Sequence, residues 1–266
     1  MIYKVNINKI TRRCFCFFII SMPSSVFASE SANQFTYFDN NVTLGYNYSI
    51  IQNNAEFSMV GINATALLHD NIWLSAAAGA VLTFDLSNNN QGLSNLNQNH
   101  SGSSLNLKAG YAFIFDTLNV TPYLGFAYNN MLIAYNYDST QEFILENPSY
   151  SILAGANIEY VVIEKKLKLG LDTGFSYAMY KSVLPNSNTS LGHVNYSQYL
   201  VNITPSIQYN INSLLTVMGY YGFSSKFAGN AAPQSVYYPN IDANSSNVIN
   251  NDGIINSFGL RFGILF

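Results

Sequence analysis

Charge is what this sequence most lacks. Asp, Glu, Lys and Arg make up 9% of its 266 residues, against roughly 25% in an ordinary soluble domain. A chain so poor in charge has little to keep it dispersed in water. Cysteine is nearly absent: Cys14 and Cys16 are the two in the sequence. Nothing after residue 16 can therefore form a disulfide or supply a thiolate nucleophile. An unbroken apolar stretch of about 20 residues is missing too, which excludes a membrane-crossing helix. Beyond residue 28 only seven Lys and Arg remain, scattered along the chain. That excludes a basic nucleic-acid surface.

Apolar and aromatic residues are plentiful. The chain is 48% hydrophobic and 15% aromatic, with 20 Tyr and 18 Phe, which excludes intrinsic disorder. Apolar on average but nowhere apolar continuously, the sequence must distribute its hydrophobicity by alternation.

Residues 1–28 read as a secretory signal peptide. Lys4, Lys9, Arg12 and Arg13 form a basic start, residues 14–22 (CFCFFIISM) a short apolar core, and Val26-Phe27-Ala28 a small-residue cleavage site. Cleavage is expected after Ala28. It would leave 238 residues with no cysteine, 7 Lys and Arg, and 14 Asp and Glu, a net charge of −7. Neither cysteine follows the apolar core, where a lipid-modified cysteine would sit.

Ten runs of period-2 alternation follow, the signature of strands with one apolar face. They begin at Val42, Val60, Ile72, Leu105, Leu118, Tyr150, Leu167, Tyr199, Leu215 and Phe258. The ninth is the least clear. Each covers about nine residues or more, the length a tilted strand needs to cross a bilayer. The apolar frame of these runs holds 60 positions without a charge, whereas the intervening frame carries Lys108, Glu159, Lys168, Asp172 and Arg261. Pro122 and Pro205 fall inside runs; each removes a ladder hydrogen bond and predicts a local bulge.

The spacers alternate as well. His69-Asp70-Asn71, Asp116-Thr117, residues 163–166 and residues 212–214 are short, while residues 87–102, 129–149, 181–198 and 224–256 are long and polar; the first connection of that second set, around Gln52 to Glu56, is short. Short turns on one side and long loops on the other is the pattern of an outer-membrane barrel, whose turns are expected in the periplasm and whose loops are expected outside the cell. Tyr46, Tyr48, Tyr128, Tyr177 and Tyr199 lie toward the loops, and Phe113, Phe115, Tyr160, Tyr209, Phe262 and Phe266 toward the turns, as interfacial girdles would. In hydrocarbon every backbone polar group needs an internal partner, so such a sheet must close. The fold class expected is all-β: one antiparallel up-and-down transmembrane barrel over residues 29–266, with about ten strands, eight or twelve being the alternatives. The alternatives arise because residues 131–146 (MLIAYNYDSTQEFILE) can extend two runs or form a separate hairpin.

The chain resembles the small Gram-negative outer-membrane β-barrels of the OmpA/OmpX/opacity-like surface-protein group. Its end, Phe258, Leu260, Phe262, Ile264 and Phe266 alternating with small or polar residues, is similar to that group's C-terminal insertion signal. The resemblance implies residence in the outer membrane after export through the periplasm. It implies contact with outer-membrane lipids and the outer-membrane insertion machinery, and a non-enzymatic structural, adhesive or environment-contact role. A candidate extracellular ligand or host surface would meet the loops around residues 88–104 and 225–251, which are rich in Asn, Ser and Gly. A monomer is expected. A narrow pore for ions or small solutes is the alternative, and a barrel enzyme a more remote one.

Enzyme motifs are missing. His69, His100 and His193 have no metal-ligand partner at a recognisable spacing, so no metal and no cofactor is expected. Omptin-type barrel proteases, by resemblance, need an Asp pair and an Asp–His pair at the loop-side rim. The rim acids here are Asp85, Asp138 and Asp252, with no Asp-x-Asp or Asp-x-His. The His-x-Ser element of lipid A deacylase-type barrels is absent as well. The five inward charges are the candidate site: either a salt-bridge cluster plugging the lumen or an ion-selecting constriction. The small interior of a ten-stranded barrel favours the plug.

Overall fold

Period-2 runs rich in Val, Ile, Leu, Tyr and Phe make poor helices and good strands, because alternate side chains leave opposite faces of a pleated backbone. The computed structural model describes residues 35–51, 55–68, 71–86, 97–138, 141–185, 191–229 and 254–266, all within one unit, Ala32–Phe266. The strands are β1 (Asn41–Ile51), β2 (Ala55–Leu67), β3 (Ile72–Leu86), β4 (Asn97–Tyr111), β5 (Phe113–Phe115) and β6 (Leu118–Asp138). They continue as β7 (Gln141–Ile163), β8 (Leu167–Pro185), β9 (Leu191–Asn210), β10 (Leu215–Gly229) and β11 (Ile254–Leu265). A one-turn helix, α1 (Thr36–Asp39), precedes β1. The expected signal peptide, and His69 and Asp252, lie outside the described residues.

Every neighbouring pair is antiparallel. β1 pairs with both β2 and β11, and β4 pairs with both β3 and β6, so the sheet closes on itself. Segments β4 and β5 are one stave: both pair with β6, and between them Ala112 donates its N–H to Asn71 O at 2.8 Å. Eleven segments therefore make the ten staves that the sequence predicts, and no edge is left to solvent or lipid.

The two faces separate as the frames require. On β6, Leu124 is 68% exposed while its neighbour Tyr123 is 7% exposed; on β8, Phe175 is 62% exposed and Ser176 7%. The last strand points Phe258, Leu260, Phe262 and Ile264 outward, and pairs with β1 in unbroken register from Asn41↔Leu265 to Ile51↔Ile255. An exterior of Leu, Ile, Phe and Tyr around a polar interior inverts the soluble pattern and suits a lipid surround. Outward rings meet across strands toward the loops, Tyr177 with Tyr199 at 4.9 Å and Tyr128 with Tyr150 at 5.1 Å, and along one stave toward the turns, Tyr111 with Phe113 at 5.1 Å.

The pairing decides between two alternatives and corrects two expectations. Residues 131–146 are no separate hairpin: they lengthen β6 and β7 to 21 and 23 residues, paired from Met131↔Asn147 to Asp138↔Gln141. Strand therefore replaces loop over parts of the predicted connections, including the stretches holding His100 and His193. Backbone pairing beyond the bilayer satisfies more N–H and C=O groups than an open loop would. Neither proline makes a bulge. Pro122 interrupts the β6 ladder with β4/β5, between Gly110↔Tyr123 and Phe113↔Val120, and Pro205 that of β9 with β10, between Tyr220↔Ser206 and Phe223↔Ile203. The register is the same on both sides of each gap, and the ladders to β7 and β8 run through Pro122↔Ala156 and Leu171↔Pro205. A missing N–H removes bonds on one side of a strand without adding a residue. The register shifts fall elsewhere, at Ser58/Met59, Asn136/Asp138, Val161/Ile163 and Lys226/Ala228.

The turn end is tight. Asp116 and Lys165 turn at φ of 48° and 57°, and Asn71 enters β3 at 62°. Asp and Asn tolerate that left-handed region better than most residues. Asn212 Oδ1 accepts the N–H groups of Leu214 and Leu215, both at 2.8 Å, and so shapes the β9–β10 turn.

Candidate functional site

Small and polar side chains line the inner wall because they occupy the other half of each alternating run. Five of them are charged, and all five line a lumen cavity of about 420 Å3. They form three separate groups.

The first lies at the turn end. Asn119 on β6 faces Glu159 on β7 directly across the ladder and donates Nδ2 to its Oε2 at 3.0 Å. Thr121 donates to Asn119 Oδ1 at 3.1 Å, which orients the amide. Lys168 on β8 reaches Glu159 Oε1 at 2.5 Å, and its ammonium also bonds Asp39. Asp39, Glu159 and Lys168 are all nearly inaccessible to solvent. A buried cation between two carboxylates recovers by Coulomb attraction and hydrogen bonding what desolvation costs.

The second group spans the lumen. Lys108 on β4 pairs with Asp172 on β8, and Tyr123 on β6 donates its hydroxyl to Asp172 Oδ1 at 2.5 Å. The Lys108 ammonium sits 4.3 Å from the centre of the Tyr123 ring and 3.3 Å from its hydroxyl. Tyr123 crosses over β7 to do this, and Gly155 makes room: a Cβ there would stand 2.7 Å from the Tyr123 oxygen. Arg261 on β11 stands apart from both groups. Its guanidinium stacks over Tyr220 at 4.6 Å, a cation–π contact.

Asp39 belongs to a segment for which the sequence carried no expectation. Phe35 and Phe38 are fully buried inside the turn end, packed with Leu67, Trp73, Ala112, Tyr123 and Val161. Phe38 O accepts from Asn41 Nδ2 at 2.5 Å and from Gln208 Nε2 at 3.1 Å, and Asn40 Oδ1 accepts the Leu67 N–H at 2.8 Å. Asn40 O also accepts the Phe266 N–H at 3.1 Å, so the segment is tied to the seam where first and last strands meet. Together α1 and its flanks form a plug with an apolar core and a charged latch. The sequence hint was local: two Phe three apart with Asp beside one, ahead of an alternating run that needs neither. Tyr123 was missed because inward aromatics in a polar frame carry no periodic signal.

Among the described residues no group of three His, Cys, Asp or Glu could hold a metal ion. Trp73 Nε1 and the side-chain oxygens Asn41 Oδ1, Asn47 Oδ1, Asn106 Oδ1 and Gln208 Oε1 are buried without a hydrogen-bond partner, and all five residues line the cavity.

No protein-family model matches the chain, and no curated protein matches it. Among solved structures it is similar to the translocator domain of the autotransporter NalP from Neisseria meningitidis, at 10% identity and a TM-score of 0.48, covering 85% of this chain and 88% of that one. The outer membrane protease OmpT from Escherichia coli aligns at 8% identity and a TM-score of 0.43, covering 85% and 95%. The attachment invasion locus protein Ail of Yersinia pestis aligns at 14% and 0.36, covering 85% and 97%. Likenesses this distant concern architecture and carry no activity across. The closed antiparallel sheet, its apolar exterior and its polar, plugged interior make this chain a small β-barrel of the outer-membrane type.

Proposed function

We propose that the protein is a non-enzymatic outer-membrane surface barrel whose lumen is closed at the periplasmic end and whose long connections meet the environment. The observation that supports the closed lumen is the plug: Phe35 and Phe38 are fully buried in the turn end, with Lys168 bonded to both Asp39 and Glu159 behind them. A conducting pore needs a continuous polar path, and an apolar plug interrupts it. The support for a surface role is the sequence of two loop-side stretches, residues 88–104 and 225–251, which are rich in Asn, Ser and Gly and almost uncharged. Such segments, on a rigid scaffold, are where a small barrel presents adaptable hydrogen-bonding groups.

Refolded protein in a planar bilayer tests the closed lumen, with a heat-shifted gel mobility to show that it has folded. Little or no steady conductance is expected. Steady ion-selective channels abolished by Lys108→Ala would favour the narrow pore instead. Protease shaving of intact cells tests the surface role: loss of adhesion or ligand binding with the barrel intact is expected, and unchanged binding argues against it.

A further inference from the structure

We propose that α1 is a proton-linked gate: the plug docks with one proton held between Asp39 and Glu159, so that acid seals the lumen and alkali releases it. The gate rests on the closed-lumen reading and adds what opens it.

Charge at the latch does not balance. Two carboxyl groups, Asp39 on α1 and Glu159 on β7, meet one ammonium, Lys168 on β8. Asp39 is 1% exposed, Lys168 4% and Glu159 6%. Fully ionised, the three would bury one net negative charge, which a low-dielectric interior disfavours. The two carboxyl groups also lie within hydrogen-bonding reach of each other. Carboxylates only accept, so that contact becomes a bond when one of them carries a proton. The surroundings say which. Both Glu159 oxygens already accept, Oε1 from Lys168 and Oε2 from Asn119. Asp39 Oδ1 accepts from Lys168, but Asp39 Oδ2 is sealed from water and no donor reaches it. That oxygen suits a hydroxyl better than an anion.

Glu159 and Lys168 are the charged groups that face Asp39. Strands β1, β2, β3 and β9 meet the plug with Asn41, Leu67, Trp73 and Gln208, none of which titrates. From β6 comes Tyr123, whose hydroxyl is committed to Asp172 on β8, itself paired with Lys108 on β4. Arg261 on β11 lies over Tyr220 on β10. Burial raises the Asp39 carboxyl, the Glu159 charge raises it further, and Lys168 only partly offsets them, which takes it from the ordinary 3.8 to about 8. Docked, Asp39 keeps its proton up to that pH; released, it yields the proton to water at about pH 4. Between the two values docking takes up one proton and weakens about tenfold for each unit of rising pH; above about pH 8 the loss is complete.

Release can leave the barrel intact. The first ladder pair is Asn41↔Leu265, so α1 lies outside the strand ladders. It is held by two buried Phe side chains, by the latch, and by Phe38 O accepting from Asn41 and Gln208. A segment held by so few contacts opens locally while all ten staves stay paired.

Planar-bilayer recordings of the refolded full barrel at about pH 6 and about pH 9 test this, with heat-shifted mobility to show folding. The parent should be closed at the lower pH, and its open fraction should rise about a hundredfold at the higher. Asp39→Asn keeps an acceptor for Lys168 but has no proton to lose, and Glu159→Gln removes the charge that Asp39 meets. Each should stay closed at both pH values, and one folded variant suffices. Infrared spectra of the parent give a reading that needs no variant: a protonated carboxyl band present at about pH 7 should fade by about pH 9, and Asp39→Asn should lack it. A parent silent at both pH values, or without that band, would overturn the gate and leave the closed lumen standing. Alkaline opening that persists in a folded variant would also overturn it, since another group would then be titrating. Steady conductance of the parent already at the lower pH would refute the closed lumen itself.

Discussion

The Lys168 ammonium bonds Asp39, a residue 129 positions earlier in the chain, and in the same place holds Glu159 nine positions before it. One cation thus joins the barrel wall to the segment that plugs it. The local pair, Glu159 with Lys168, follows from adjacent strands. The distant one exists only because the barrel encloses α1.

Removing that cation should therefore cost more than removing a surface charge. Lys168→Met leaves Asp39 and Glu159 buried together, and a loss of about 3–5 kcal/mol is expected for breaking one member out of a buried ion group. Urea unfolding of the refolded barrel in micelles measures it. The triple substitution Lys168→Met, Asp39→Asn, Glu159→Gln should recover most of the loss, because no unpaired charge remains.

The plug depends equally on its apolar half. Phe38 is fully buried, and Phe38→Ala should destabilise by about 3–5 kcal/mol through the cavity it leaves. If α1 is what closes the lumen, the same variant should show steady conductance in a planar bilayer where the parent shows none. A silent Phe38→Ala barrel that still shifts on heating would mean that closure lies elsewhere.

Leu124 distinguishes a lipid-facing wall from a water-facing one. At 68% exposed, it would tolerate Arg on a soluble protein with little effect. In a bilayer, Leu124→Arg should cost about 2–4 kcal/mol near the midplane. Unfolding in phospholipid vesicles, with Leu124→Ala as the size control, separates the two.

Tyr220 and Gly259 form a pair in which the glycine is required by close approach. A Cβ on Gly259 would fall 2.0 Å from the tip of the Tyr220 ring, so Gly259→Ala must displace the ring and with it the Arg261 contact. A double-mutant cycle with Tyr220→Ala should show coupling of about 0.5–3 kcal/mol, the second substitution relieving the first. Additive effects would show that the two do not meet.

How far the chain could be read without its fold follows from which forces are local. Alternation is a property of each strand alone, since successive side chains leave opposite faces. The outward frame from Leu44 to Phe266, the ten staves and the turns at Asp116-Thr117 and residues 212–214 were therefore legible, as were the five charges that face inward. Boundaries were less so: long-range pairing carried β6 and β7 through residues 131–146, where the sequence turns polar. The prolines misled because a missing N–H need not add a residue.

Partners across the lumen were beyond sequence. Nothing in the spacing of Lys108 and Asp172, 64 positions apart, announces that they meet, nor that Tyr123 passes over Gly155 to join them. That depends on closure, which brings strands β4 and β8 face to face. The plug belongs to the same class: the Phe35–Asp39 segment carries no periodicity, and only an enclosed, desolvated lumen gives its two Phe a core and its Asp a cation. Sequence alone settled which residues face lipid, because that is decided one strand at a time. Tertiary structure decided what fills the inside, because that requires all ten staves at once.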